Sequence, residues 1–353
     1  MSQKALLLHA VGTPVVLEER PIPEPGENEL LVKVTAASLN PHDQKVRDFG
    51  LLLQNGLAVL ANDLAGEVVK LGPGAIAATY SVGEHVFAQS SPNGNGPISA
   101  DTGGLQEYTI VNAKHAAKVA DSGLTDDEAV TLPTNTTPPF LALFHESGHG
   151  FPPPWSSGAA TFDYASKTLL VLGAGTNCGR YTIQVAKMAG IGQIIAVAGK
   201  RNEGKLKDLG ATCFIDRHTR DILKEIRDVT GDNLVYAVDA FSSRDSQQLG
   251  LAALSNSKKG VLLVLTQPQD DKISVDSIGS KTAGYECRMI KGSSQLHSEF
   301  AIEFFKHIAG WARDGKIKPS NFEVIEGLDA GKVNEALDYY RDGKETVKRN
   351  VHP

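Results

Sequence analysis

Residues 168–172, TLLVL, are apolar almost throughout, the mark of a strand buried on both faces of a parallel sheet. A glycine turn follows at once, Gly173-Ala174-Gly175-Thr176-Asn177-Cys178-Gly179. Beyond it Tyr181, Ile183, Val185, Ala186 and Met188 recur at helical spacing. Further strand-like runs at 193–197, 212–215, 234–239, 261–265 and 288–291 alternate with helical ones. Six strands so separated require a parallel sheet with right-handed crossovers, so the fold class is α/β with a doubly wound six-stranded sheet.

The first part of the chain has a different pattern. Short runs at 5–9, 15–18, 30–36, 64–71, 81–87 and 108–111 alternate or nearly so, and Pro- and Gly-rich turns separate them. That predicts a small barrel or sandwich, with 90–104 as an exposed polar loop. From residue 124 the period changes: acidic residues mark a helix start, and a second helix is expected beyond Pro138-Pro139. Residues 148–158, GHGFPPPWSSG, read as loop. Near the C-terminus an amphipathic helix at 300–311, a strand at 322–327 and a helix at 330–341 do not extend the βα alternation. They are expected to return to the first domain, which gives 1–130 with 305–353 as one domain and 131–304 as the other.

Charge and cysteine content narrow the function classes. A net charge of −6 with no long block of like charge points away from nucleic acid, and no apolar stretch is long enough to span a membrane. Cys178, Cys213 and Cys287 have neither disulfide nor zinc spacing, which suggests a reducing, cytoplasmic setting.

The glycine turn between strand and helix is the candidate chemistry. Glycines let a backbone approach a pyrophosphate, and the helix N-terminus attracts the anion. Gly173, Gly175, Thr176, Asn177, Cys178 and Gly179 are the candidate cofactor residues, although the spacing G-x-G-x-x-x-G is one residue longer than the standard fingerprint. The next strand ends in Gly199-Lys200-Arg201, with Lys205 a turn later and no acid before Glu203. An acid there would bind a ribose 2′-hydroxyl, whereas bases suit a 2′-phosphate, so NADPH is expected. Phe241 and Thr266 sit at C-terminal strand ends, where open α/β sheets bind ligands.

Together the segments ASLNPHDQK (37–45), NDLAGEVVKLGPG (62–74), VGEHVF (82–87), GGLQEY (103–108), LGATCFID (209–216) and GKIKP (315–319) resemble the medium-chain dehydrogenase/reductase superfamily over nearly the full length. The resemblance implies a GroES-like catalytic domain joined to a Rossmann domain. Zinc-dependent members put a Cys in the segment that here reads NPHDQK, a Gly-His-Glu where this chain has Asn62-Asp63-Leu64-Ala65-Gly66-Glu67, and a four-cysteine lobe. No cysteine precedes Cys178, and His42 and His85 do not close a site, so no metal is expected. The chain is similar to the zinc-free branch: quinone oxidoreductases, enoyl reductases and fungal trans-acting enoyl reductases of polyketide synthesis.

That resemblance implies hydride transfer to the C=C of an α,β-unsaturated carbonyl, with an enoyl thioester, possibly carried on a polyketide synthase, as substrate. Quinones or enones are the alternative, and a non-catalytic NADPH-binding sensor or scaffold is a third reading from another class. Charge developing on the carbonyl oxygen needs a donor or cation, and Lys45 and Asn40 lead on the family motif. Thr136 and Thr137 match the family's stretch near the nicotinamide ribose, with a helix N-cap as the plainer role for one of them. Tyr80 is a lower-ranked acid. Some relatives pair through a sheet edge, so monomer and homodimer both stay open.

Overall fold

The computed structural model describes residues 1–51, 53, 57–90, 99–344 and 347–353. The expected loop at 90–104 lies partly outside them, at 91–98. By internal contacts the chain forms two compact units, Met1–Thr134 with Ser293–Pro353, and Asn135–Gly292.

The first unit opens with β1 (Ser2–Leu8), β2 (Val16–Pro21) and β3 (Glu29–Ser38), then α1 (Pro41–Phe49). There follow β4 (Ala58–Val59), β5 (Asp63–Leu71), β6 (His85–Gln89), β7 (Tyr108–Asn112), β8 (Ala116–Lys118) and the single turn α2 (Asp126–Ala129). β2-β1-β4 is one small sheet. β3 is buried along most of its length, because it lies inside the sheet and pairs with both β5 and β7. The run at 81–87 starts its strand late, at His85, because 81–84 form a turn in which Ser81 N–H meets the Glu84 carboxylate.

In the second unit, α3 (Pro133–Phe144) corrects one expectation: a single helix passes through Pro138 and Pro139 instead of starting beyond them. Each proline forgoes a backbone hydrogen bond. Burying Phe140, Leu141 and Leu143, at 0–1% exposure, outweighs that loss. β9 (Thr168–Leu172), α4 (Asn177–Ala189), β10 (Gln193–Ala198), α5 (Glu203–Leu209), β11 (Cys213–Asp216) and α6 (Ile222–Thr230) follow. The unit ends with β12 (Tyr236–Asp239), α7 (Arg244–Ala253), β13 (Gly260–Val264), α8 (Val275–Ile278) and β14 (Tyr285–Met289). These six strands form one parallel sheet in the order β11-β10-β9-β12-β13-β14. The order reverses between β9 and β12, the point at which such sheets bind ligands. One face packs Leu170, Leu172, Ile195, Val197 and Val264 with Ile226 of α6 and Leu251 of α7. Each such side chain contributes about 1.5–3 kcal/mol.

The return to the first unit begins at Ser293 and not inside the following helix, at residue 305. It comprises α9 (Ser298–Arg313), β15 (Phe322–Glu326), α10 (Ala330–Arg341) and β16 (Lys348–His352). β16 lies between β15 and β3 and so completes the seven-stranded sheet. No described helix is long and apolar enough to cross a membrane.

Candidate active site

In the second unit the glycine turn is built as the sequence suggests, and each glycine has its own reason. Gly173 has φ +65°, and a Cβ there would lie 2.7 Å from the backbone nitrogen of Phe241. A Cβ on Gly179 would lie 2.4 Å from the Gly173 carbonyl oxygen. Those two glycines are required by the fold itself. A Cβ on Gly175 would meet only the movable amide of Asn202, at 3.1 Å or more, so that position is open for a ligand backbone-to-phosphate approach. Thr176 is the N-cap of α4, its hydroxyl accepting from Gly179 N–H at 3.0 Å. Asn177 and Cys178 form the first turn of α4, and the Cys178 thiol faces the Asn135 side-chain oxygen at 3.8 Å. The turn therefore fits a dinucleotide pyrophosphate.

At the end of β10 Glu203, the first acid after Lys200 and Arg201, pairs with lysines. Lys200 Nζ lies 2.6 Å from a Glu203 oxygen, and Lys207 holds the other oxygen at 2.8 Å. Those hydrogen bonds pull the Glu203 carboxyl down to about 2. Gly199 O accepts from the Asn202 side chain, and Asn202 Oδ1 accepts from Arg180 of α4 at 3.2 Å. Sequence reasoning singled out neither Arg180 nor Asn202. Lys205 is exposed along its helix, with its ammonium depressed by partial burial and then by Arg180.

At the end of β12, Asp239 is fully buried and accepts from Phe241 N–H and Ser242 N–H. This turn leaves the Phe241 ring 61% exposed and holds Ser242 at φ +59°, a strained conformation for a non-glycine residue. Ser242 joins two loops: its hydroxyl accepts from Leu265 N–H, and its carbonyl accepts from the Thr266 hydroxyl at 3.1 Å. Phe241 and Thr266 are thereby fixed to one another at the C-terminal edge of the sheet. Thr136 and Thr137 are buried inside α3, so neither is an N-cap.

In the first unit, Asn40 precedes α1, and its backbone N–H donates to Asp43 Oδ2 at 2.7 Å. Its amide is fully engaged: Nδ2 donates to Asp63 Oδ2 at 2.9 Å, and Oδ1 accepts from Lys348 Nζ at 2.8 Å. Lys348 also lies 3.4 Å from Asp63, and both side chains are 0% exposed. Asp63 Oδ1 accepts from Thr134 N–H, and Asp43 Oδ1 accepts from Ala61 N–H. Burial raises the Asp43 carboxyl to about 6 against these donors. This closed network makes Asn40 a positioning group for α1. Lys348, which sequence reasoning also missed, places an ammonium between Asn40 and Asp63. Among the described residues no group of three or more His, Cys, Asp or Glu side chains could hold a metal ion.

One turn further along α1, Lys45 is half-buried and has no hydrogen-bond or ionic partner among the described residues. His42 lies three residues before it, on the same face, with Nε2 buried and unpartnered; burial, and then Lys45, lower its imidazole to about 4. Tyr80 is placed otherwise. Its hydroxyl donates to the Ala116 and Ala113 carbonyls, and burial pushes the phenol up to about 12. It pins a loop and holds its proton.

Residues 26–121 match the alcohol dehydrogenase GroES-like domain family, and residues 178–300 match the zinc-binding dehydrogenase family. The chain belongs to the medium-chain dehydrogenase/reductase superfamily. A trans-enoyl reductase of Penicillium oxalicum is 32% identical over 255 residues, 72% of this chain and 68% of that protein. Another, from Alternaria alternata, is 28% identical over 356 residues, 100% of this chain and 99% of that protein. Among solved structures, the CurK enoyl reductase superposes with TM-score 0.76 at 17% identity, over 99% of both chains. The quinone oxidoreductase of Coxiella burnetii superposes with TM-score 0.71 at 22% identity, over 100% of both. The chain is thus an oxidoreductase of a family that binds nicotinamide dinucleotides, with the Rossmann and GroES-like sheets of that family.

Proposed function

We propose that this chain is an NADPH-dependent, zinc-free reductase of activated C=C bonds, acting on enoyl thioesters that are free or carried on a synthase partner. The observation that carries the reading is the end of β10, where the nearby carboxylate, Glu203, is bound by two lysines and so is not offered to a ribose 2′-hydroxyl. The enoyl half is supported by trans-enoyl reductases among its relatives. In this reading Gly175 and the N-terminus of α4 hold the pyrophosphate, Arg201 and Lys205 serve the 2′-phosphate while Glu203 keeps Lys200 from it, and Phe241, Thr266, Thr136 and Thr137 border the rest of the dinucleotide.

When bound, the dinucleotide supplies the hydride. The chain supplies stabilisation of the charge that develops on the substrate carbonyl oxygen. Lys45 is the residue proposed for it, because its ammonium has no partner to give up among the described residues. Asn40, Asp63 and Lys348 hold the start of α1 and so fix where Lys45 stands.

The test follows NADPH oxidation with a panel of enoyl thioesters, enones and quinones. Enoyl thioesters should turn over fastest. Lys45→Ala should lower kcat by roughly 100-fold, the usual cost of removing one oxyanion donor, while NADPH affinity changes little. An unchanged rate in that variant would remove Lys45 from the chemistry. Turnover of quinones alone would replace the substrate assignment, and tight NADPH binding without any turnover would identify a sensor.

A further inference from the structure

Beside the basic turn at the end of β10 stands a cation that no carboxylate among the described residues answers. Lys200 is neutralised by Glu203. Arg180, projecting from α4, is not: no carboxylate among the described residues pairs with it, and its Nε is buried without a hydrogen-bond partner. Burial opposes its charge, and so does neighbouring Arg201. Its terminal nitrogen reaches Asn202 Oδ1 at 3.2 Å, while Asn202 Nδ2 donates to the Gly199 carbonyl. The same Asn202 amide covers Gly175 of the phosphate turn. One asparagine therefore ties the guanidinium to both segments that would contact the cofactor.

Other charges face this place. Lys205 lies near enough to Arg180 for the guanidinium to disfavour the ammonium's charge. Arg217, after β11, approaches Gly199 from the other side and donates from Nε to His218. Of the two acids, Glu203 is taken by lysines, and Asp216 accepts from His218 N–H while acting on Lys200. A half-buried guanidinium with an idle N–H among like charges is costly until an anion arrives. Its planar fork suits a phosphate monoester better than an ammonium does.

We infer that Arg180, oriented by Asn202, is the residue that seats the adenosine 2′-phosphate and sets the preference for NADPH, with Lys200 in a minor role. This rests on the NADPH reading above. Two variants test it by titration with NADPH, NADH and adenosine 2′,5′-bisphosphate: Arg180→Met, which keeps the aliphatic stem, and Lys200→Met. Arg180→Met should weaken NADPH and the bisphosphate by about 10- to 100-fold, the range for a lost charged hydrogen-bonding pair, with NADH within about threefold. Lys200→Met should change NADPH affinity by no more than about threefold. Because Arg180 is strained in the ligand-free protein, Arg180→Met should also melt at the same temperature or higher, whereas loss of a merely structural arginine would lower it. Wild-type preference for NADPH that survives Arg180→Met, or that collapses in Lys200→Met instead, would overturn the inference alone. A wild-type protein with no NADPH preference would overturn the cofactor reading and this inference with it.

Discussion

Two charged regions of this protein look alike in sequence and opposite in structure. Around Asn40, buried charges are matched: Lys348 meets Asp63, Asn40 bridges them, and backbone N–H groups complete Asp63 and Asp43. Around Gly199, Arg180 is half-buried, and no carboxylate among the described residues matches it. A closed polar network is what a fold keeps for rigidity, while an open one retains interaction energy for a ligand. The contrast separates residues that hold the site from residues offered to the cofactor.

The largest effect should come from breaking the closed network. Lys348→Met leaves Asp63 buried without its ammonium and should cost about 3–5 kcal/mol, read as a lower denaturation midpoint of the holo or apo protein. A shift near zero would mean that the network is not a source of rigidity.

The glycine turn sharpens the same distinction on a smaller scale. Gly179→Ala drives a methyl into the Gly173 carbonyl and should destabilise the fold by about 1–3 kcal/mol. Gly175→Ala should leave the melting temperature nearly unchanged and weaken dinucleotide binding. Equal effects of the two variants on stability would show that Gly175, too, is a folding requirement.

The smallest effect is in pH. Asp43, raised to about 6, binds its proton more tightly in the native state, so its contribution to stability is present below the unfolded value near 4 and is lost as pH rises through 6. His42 and His115, lowered to about 4, and His149, lowered to about 3, act in the opposite sense. Their contribution is present above about 6.5 and is lost as pH falls toward 4. Three histidines outweigh one aspartate, so stability should fall on acidification from pH 7 to 4. It should fall more steeply in Asp43→Asn, as thermal melts across that range would show.

Sequence alone resolved the second unit better than the first. TLLVL followed by Gly173 to Gly179 combines contiguous burial with a turn that only glycine permits, and both signals are local. The helix α1 gave no such signal, because in PHDQKVRDF only Val46 and Phe49 are apolar. Its start is fixed by Asp43 reaching the backbone of Asn40 and Ala61. β16 was also illegible, since its partners β3 and β15 are far away in sequence or specified by pairing alone. Lys348 looks like one base in a basic tail until that pairing buries it. Arg180 looks like the polar face of an amphipathic helix, and only the neighbouring Asn202 and Arg201 show that its charge is unanswered. Lys200 was legible as a base, but not its pairing with Glu203 three residues later.

The most direct measurement is fluorescence titration of the purified protein with NADPH and NADH under identical salt. The account expects NADPH to bind at least about tenfold more tightly, the effect of roughly 1.4 kcal/mol from one phosphate contact. Equal affinity for the two, or binding of neither, would contradict it.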